Sequence, residues 1–341
     1  MTILVTGSNG FIGSNFINHW LDLSGETVVS LDLVPHPDEE TLYSLIDSSR
    51  HTFIRGNISD QALVLNLLNK FSIKGVIHFA AETHVDNSIL NPEIFINNNI
   101  LGTFYFLEAI KIYWLTLTRE RKSKFRFIQI STDEVYGSLG KGELKFSELS
   151  QICPNNPYSA SKASADHIAR AFYKTYGLPT MSVLSTNNFG PFQFPEKLIP
   201  LTIISAISGK KIPIFGKGDQ IRDWIYVKDF CLAICEVLKY GSVGDRYNIG
   251  GNNERTNLEV VTEICLNLDR LTPRQDKKSY QCQINFVKDR LGHDKRYAIN
   301  ASKIKNELGW KAKEKFSSGL NKTILWYLEH KSWVSKIRLI R

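Results

Sequence analysis

Thr2-Ile-Leu-Val-Thr-Gly7-Ser-Asn-Gly10-Phe-Ile-Gly13 runs from an apolar, β-branched stretch into three spaced glycines. An apolar-periodic segment then continues to Leu23. The pattern predicts strand, glycine turn and helix. Glycines at these places allow a tight turn and the close approach of a pyrophosphate, which then meets the positive end of the helix. A lone glycine motif is weak, but here the context agrees. Thr27-Val-Val-Ser-Leu-Asp32 follows as a second strand ending in an acid, about 20 residues past the glycines, where a carboxylate holds the ribose hydroxyls of a dinucleotide. Leu33 stands next, with no Arg beside Asp32, which favours NAD over NADP. The plainer reading of Asp32 is a helix or turn cap.

Working outward, residues 33–50 are polar with Pro35 and Pro37 and read as a loop with one short helix. A short strand is expected over 52–60, an amphipathic helix over 61–70 and a fully apolar strand over 75–81. His78 inside that strand reads as a core histidine rather than a ligand. The strand runs into Glu82-Thr-His-Val-Asp86, a polar cluster at a strand's carboxyl end, where ligands collect in open α/β sheets. A long helix lies within 91–117, and 179–185 is a further strand. Alternating strands and helices predict a doubly wound parallel sheet. Beyond it the alternation fails. Residues 189–197 are aromatic and proline-rich and read as a loop, 216–229 as a glycine-rich loop with one Arg, and 254–257 as the start of a helix through Leu268. A polar cluster spans 288–297. This half is expected to form a smaller lobe closing over the substrate.

Chemistry concentrates between Ser131 and Lys162. Ser131-Thr-Asp-Glu-Val-Tyr-Gly137 follows the strand 125–130, and Pro157-Tyr158-Ser-Ala-Ser-Lys162 enters an Ala- and Lys-rich helix. Thr132, Asp133 and Glu134 therefore sit where a strand ends, and Tyr158 and Lys162 share a helix face one turn apart. A Tyr hydroxyl, pKa about 10, is a poor base, and a Lys ammonium beside it favours the phenolate. Such a pair can take a proton from a sugar hydroxyl while an oxidised nicotinamide takes the hydride, with Thr132 bonding the same oxygen. Tyr-x-x-x-Lys alone is common; the Ser-Thr strand end and the glycine motif give it weight.

The chain has 341 residues, 43% hydrophobic and 22% charged, with a net charge of +8. These are the proportions of a folded globular protein. No long Lys/Arg block accompanies the charge, so it suits a phosphorylated small molecule better than nucleic acid. Five scattered cysteines argue against a disulfide framework, and Cys231 and Cys235 read as buried thiols. No signal-type core or ~18-residue apolar run is present, which predicts a cytosolic protein outside the membrane.

Assembled, these motifs resemble the nucleotide-sugar 4,6-dehydratases of the extended short-chain dehydrogenase/reductase superfamily, from Gly7 to about Trp326. The narrow signatures are Ser-Thr-Asp-Glu-Val-Tyr-Gly, Glu-Thr-His-Val-Asp, Asn-Asn-Phe-Gly-Pro-Phe-Gln-Phe-Pro-Glu-Lys, Arg-Asp-Trp and Asp-Arg-Leu-Gly-His-Asp. The resemblance implies a lyase with no net redox change, acting on dTDP-glucose, with UDP-glucose as the close alternative. A sugar 4-epimerase or decarboxylase, or a non-catalytic NAD-sensing module, is the more distant reading.

By the same resemblance Tyr158, supported by Lys162, deprotonates the glucose O4, Thr132 bonds that oxygen, Glu134 removes the C5 proton and Asp133 protonates the leaving O6. Without the family, Asp133 and Glu134 read equally as solvated turn acids. NAD would be held by Gly7, Gly10, Phe11, Ile12, Gly13, Asp32, Asn57, Ile58, Ala80, Ala81 and Thr83, with Tyr158 and Lys162. The nucleotide sugar would be held by His84, Asp86, Asn187, Glu196, Lys197, Pro213, Phe215, Arg222, Asn257, Arg290, His293 and Tyr297. The implied division is an NAD-binding Rossmann domain at 1–182 plus about 219–247, and a nucleotide-sugar lobe at 183–218 plus 248–341. A homodimer through helices within 92–117 and 159–176 is also implied. The chain departs from the family pattern at 33–38, at Asn57 where Asp is usual, at Phe215 for Tyr and at Leu291 for Pro. The last two bear on thymine versus uracil.

Overall fold

The computed structural model describes residues 2–34, 48–140 and 142–339. The 33–38 departure therefore lies mostly outside the described residues, as does most of the loop and short helix expected over 33–50. Short β-branched runs separated by amphipathic helices give six parallel strands in the first half of the chain: β1 (Thr2–Thr6), β2 (Thr27–Asp32), β3 (His51–Arg55), β4 (Gly75–His78), β5 (Arg126–Thr132) and β6 (Thr180–Ser185). β7 (Asn187–Phe189), β8 (Ile212–Phe215), β9 (Ile221–Tyr226), β10 (Arg246–Ile249), β11 (Glu254–Thr256) and β12 (Ile284–Val287) follow. The large sheet has the order β10-β6-β5-β4-β1-β2-β3, parallel throughout. The reversal beside β1 is the switch point at which doubly wound sheets bind ligands.

Alternation along each strand feeds two cores. Ile3 and Val5 of β1 face α1 (Phe11–Leu23), whose Phe16, Ile17 and Trp20 pack with them. Leu4 points the other way, into a layer holding Leu67 and Leu68 of α2 (Gln61–Lys70). On the chain's way to β5 come α3 (Val85–Leu90), α4 (Pro92–Phe95), α5 (Gly102–Thr116) and α6 (Arg119–Lys124). Phe106 and Ile110 of α5 join the second core, with Ala169 and Phe172 of α7 (Pro157–Tyr176). His78 is fully buried between Thr6 and Thr103, and burial drops its pKa to about 3. It is a neutral core histidine.

The smaller lobe gathers α8 (Leu198–Ile207), α10 (Asn257–Leu271), α12 (Phe316–Glu329) and α13 (Lys331–Leu339) around Phe189, Trp224 and Trp333. Between these in sequence, α9 (Val227–Tyr240) packs beside α1 under the large sheet, and α11 (Ser302–Leu308) follows β12. Cys231 and Cys235 are buried in α9. Two small sheets, β11-β9-β7 and β12-β8, complete the lobe. Among the described residues no helix is long and apolar enough to cross a membrane.

Among the local expectations that change, 254–257 is not all helix: Glu254–Thr256 pair with β9 as β11, and α10 begins at Asn257. Residues 216–229 are not one loop: β9 occupies their middle and α9 begins at Val227. The polar Asp223 is tolerated inside β9 because the backbone N–H groups of Asn252 and Asn253 donate to its carboxylate. The long helix in 91–117 is broken by a π-helical stretch, Ile96–Leu101, in which Gly102 N–H donates to the Asn97 carbonyl five residues back. The strand expected over 75–81 ends at His78, and Phe79 to Thr83 run on as the chain leaves the sheet.

Candidate active site

The glycine turn fits a dinucleotide. Gly7 has φ of +66°, and a Cβ there would lie 2.5 Å from the Ala80 backbone nitrogen. A Cβ on Gly13 would lie 2.3 Å from the Gly7 carbonyl oxygen. Both glycines thus permit backbone to pass backbone where β1 and β4 end. Among the described residues no side chain caps the α1 N-terminus at Gly10, and its first N–H groups present a positive end. Phe11 and Ile12 form the first turn of α1. Asp32 ends β2 and accepts from Asn9 N–H at 2.9 Å, so the acid also braces the glycine turn. The cap reading and the ribose reading are compatible, because the carboxylate sits at the carboxyl end of β2 beside that turn. Asn57 and Ile58 follow β3, with Asn57 Oδ1 accepting from Ser59 N–H. Ala80, Ala81 and Thr83 follow β4. The expected cofactor residues thus gather at the ends of four neighbouring strands.

At the end of β5, Thr132 caps a 3-10 turn, Asp133–Tyr136, its hydroxyl accepting from Glu134 N–H at 3.2 Å. The turn separates two adjacent carboxylates. Asp133 is 1% exposed, and its Oδ2 is buried with no hydrogen-bond partner among the described residues. Burial, then Glu134 and Asp223, push its pKa well above the carboxylate range. Glu134 lines the cleft. Burial raises its pKa too, with Arg222 and Lys197 pulling it back down.

Asn156 starts α7 with a reciprocal capping box to Ser159, so that Tyr158 and Lys162 both lie on the helix. Tyr158 lies in the first turn, with Thr132 among the groups that act on its hydroxyl. Burial, Glu134 and Asp133 hold the Tyr158 hydroxyl well above its usual pKa. With the protein groups alone the phenol is therefore the favoured form, the reverse of the sequence expectation. Lys162 Nζ donates to the Ile130 carbonyl at 2.7 Å, and burial lowers its pKa to about 8. Asn99, 1% exposed in the π-helical stretch, ties α7 to the strand-end loop: it accepts from Glu82 N–H and donates to the Glu82 carbonyl and Ser161 Oγ.

All twelve expected substrate residues meet in one cleft with Glu134: His84, Asp86, Asn187, Glu196, Lys197, Pro213, Phe215, Arg222, Asn257, Arg290, His293 and Tyr297. Arg222 lies over the Tyr297 ring at 4.2 Å and donates to the Asp294 carbonyl. Arg290 lies over Phe215 at 5.1 Å, and Phe215 meets His293 edge-on. Asn156, Gln193, Trp224 and Asp294 also line the cleft and were not anticipated. Asn156 carries a readable signal, an Asn immediately before Pro157 at a helix start. Gln193 carries none, because it is placed by Tyr327, whose hydroxyl donates to its carbonyl.

Comparison with known proteins agrees with this geometry. Residues 4–323 match the family model described as GDP-mannose 4,6 dehydratase. A dTDP-glucose 4,6-dehydratase of Xanthomonas campestris pv. campestris is 49% identical over 337 residues, covering 98% of this chain and 95% of the relative. The chain belongs to the dTDP-glucose 4,6-dehydratase family. The dTDP-glucose 4,6-dehydratase 1 of Escherichia coli K12 is 47% identical over 99% of this chain and 96% of its own. A dTDP-glucose 4,6-dehydratase from Streptomyces venezuelae, solved with NAD and TYD bound, superposes with a TM-score of 0.88 at 36% identity, covering 99% of this chain and 100% of that one. The family's Rossmann-type sheet and smaller lobe are both present here.

Proposed function

We propose that this chain is a hydro-lyase that converts dTDP-glucose to dTDP-4-keto-6-deoxyglucose, with NAD on the large sheet and the nucleotide sugar on the smaller lobe. The observation that carries the reading is the division of Asp133 from Glu134 by the turn after β5. One carboxyl is sealed and favours its proton; its neighbour faces the cleft beside Arg222 and Lys197. Paired carboxyls in unlike surroundings serve as acid and base. Bound NAD supplies a reversible hydride store, so oxidation at C4 and reduction at C6 leave no net redox change.

The chain's own residues move the protons. Thr132 and Tyr158 hold the glucose O4; the Lys162 ammonium, joined by the positive charge that bound NAD would bring, offsets the burial that favours the phenol, and Tyr158 takes the O4 proton as the phenolate. The 4-ketone acidifies C5, and Glu134 takes that proton. Asp133 donates to O6 as water leaves. Arg222 and Arg290 suit the diphosphate, because guanidinium groups bind oxygens bidentately. An epimerase needs no elimination acid and base, which favours dehydration over that relative.

The reading includes a cytosolic homodimer. α5 and its π-helical lead expose Leu101, Phe104, Tyr105, Ile112 and Leu115, and α7 exposes Tyr176. Such a face is more apolar than scattered single residues and suits a helix-bundle interface. Sedimentation as a monomer at micromolar concentration would remove it.

The test is product formation from dTDP-glucose and UDP-glucose side by side, with and without added NAD. Preference for dTDP-glucose is expected. Equal or better use of UDP-glucose would move the assignment to the uridine substrate, and no turnover of either with NAD present would overturn the reading.

A further inference from the structure

Asp166 is a buried carboxyl that the proton transfers above leave without a task. It lies on α7 one turn beyond Lys162 and two beyond Tyr158, on the same helix face. It is 3% exposed. Ser131 Oγ, from the penultimate residue of β5, donates to its Oδ2 at 2.6 Å. Its Oδ1 is buried with no hydrogen-bond partner among the described residues. A buried carboxylate with an unmet oxygen is costly unless a cation lies near.

Two cations are in range. Arg246 of β10 acts on Asp166 less strongly than Lys162 does. Lys162 is 5% exposed and gives a proton to the Ile130 carbonyl, which carries no full charge to balance it. Asp166 is the group that opposes the discharge of Lys162 by burial.

We propose that Asp166 is a positioning residue of the Tyr158–Lys162 pair, its carboxylate, anchored by Ser131, keeping the Lys162 ammonium charged and aligned on the catalytic helix face. The inference rests on the dehydratase reading of this site. The titratable groups facing Lys162 are Tyr158 and Asp166 on its own helix and His78 on β4, the last neutral. Asp166 also faces Arg246 of β10, and its own pKa lies at about 6, raised by burial and opposed by Ser131 and Lys162. It is therefore mostly ionised at neutral pH. An anion removed from beside a cation lowers the cation's pKa. The same anion raises the Tyr158 pKa, so its removal lowers both values, which favours the phenolate but disfavours the ammonium; the alkaline limb reports the ammonium alone.

The experiment is the pH profile of dTDP-glucose turnover in wild type, Asp166→Asn and Ser131→Ala, with each variant's unfolding midpoint. Asn keeps an oxygen acceptor for Ser131 and removes only the charge. The wild-type alkaline limb is expected near the Lys162 pKa of about 8. D166N is expected to bring it down by about one pH unit, the low end for a neighbouring charge. S131A, by weakening the anchor and raising the Asp166 pKa, is expected to move it the same way by less. Nitrogen NMR of labelled lysine gives the Lys162 titration directly, without turnover, and is expected to shift in parallel.

A folded D166N that loses activity but keeps the wild-type limb would show a structural role only and overturn the proposal. Should D166N fail to fold, an unchanged limb in S131A overturns it instead. Wild type inactive on any nucleotide-glucose would remove the dehydratase reading and this inference with it. Wild type active with an unmoved limb removes only the inference.

Discussion

Asp86 and Arg290, 204 positions apart in the chain, join across the cleft by two hydrogen bonds, Nε to Oδ1 at 2.5 Å and Nη2 to Oδ2 at 2.8 Å. Beside them Lys197 Nζ donates to the Thr83 carbonyl at 2.9 Å. The loop after β4 and the smaller lobe are thus held together by cations that also line the substrate cleft. The Asp86 carboxylate presents Arg290 with the same planar pair of oxygens that a diphosphate offers.

Opposite outcomes are expected from the two ends of that pair. Arg290→Ala should weaken binding of free dTDP by about 10- to 100-fold, the worth of a charged bidentate contact. Asp86→Ala releases the guanidinium from a half-exposed pair worth up to about 1 kcal/mol, so dTDP should bind up to about fivefold more tightly. Calorimetric titration reads both; weaker binding in the Asp86 variant would refute the competition.

Glu134→Gln should reduce product formation by at least about 100-fold, the lower range for a lost general base. Oxidation at C4 uses Thr132, Tyr158 and Lys162 and should survive. Reduced nicotinamide should then build up in the absorbance spectrum after substrate is mixed in. Loss of both signals together would assign Glu134 to binding rather than to proton removal at C5.

Gly13→Ala sets a Cβ into the Gly7 carbonyl. Overpacking of this kind costs about 1–3 kcal/mol and displaces α1 from the turn that faces the pyrophosphate. A lower unfolding temperature with weakened NAD binding is expected, read by thermal scans with and without NAD. The NAD-dependent rise in melting temperature should shrink most.

His78 sets part of the acid limit of stability. Its folded pKa is about 3 and its ordinary value 6.5, so between these the unfolded chain binds the extra proton. Stability from this group is complete above pH 6.5 and falls as pH drops toward 3. From pH 7 to pH 5 the loss amounts to about 2 kcal/mol. Denaturant midpoints should fall less steeply over that interval in His78→Gln, although that variant starts from lower stability at pH 7.

The parallel sheet was legible where short apolar strands lead into periodic helices, as β1 does; β10, Arg246-Tyr-Asn-Ile249, mixes polar and apolar residues and was not anticipated. The turn after β5 was legible as a position, not as a geometry. Ideal strand alternation would send Asp133 and Glu134 to opposite faces; the 3-10 turn capped by Thr132 seals one and opens the other, and no spacing rule announces that. β9 escaped because its sequence, Ile221-Arg-Asp-Trp-Ile-Tyr226, follows Gly216 and Gly218 and is interrupted by charges. Its stability comes from β7 on one side, β11 on the other, and two backbone N–H groups aimed at Asp223. Gln193 and the Asp86–Arg290 pair are likewise products of contacts between distant segments. The Tyr158–Lys162 face was read correctly, while the proton affinity of Tyr158 depended on the carboxylates folded against it.

The π-helical stretch Ile96–Leu101 holds one residue more than an α-helix needs over the same rise, and Asn99 uses that surplus to grip Glu82 and Ser161. One residue added to a regular helix turns everything beyond it by about 100°; the wide turn absorbs the surplus, so Phe106 and Ile110 keep their places in the core. Removing a single residue there would restore a regular helix with α5 still in register, and what would be lost is the hold of Asn99 on the loop after β4. Between Phe95 and Gly102 the chain should therefore tolerate a shorter count in its fold but not in its site.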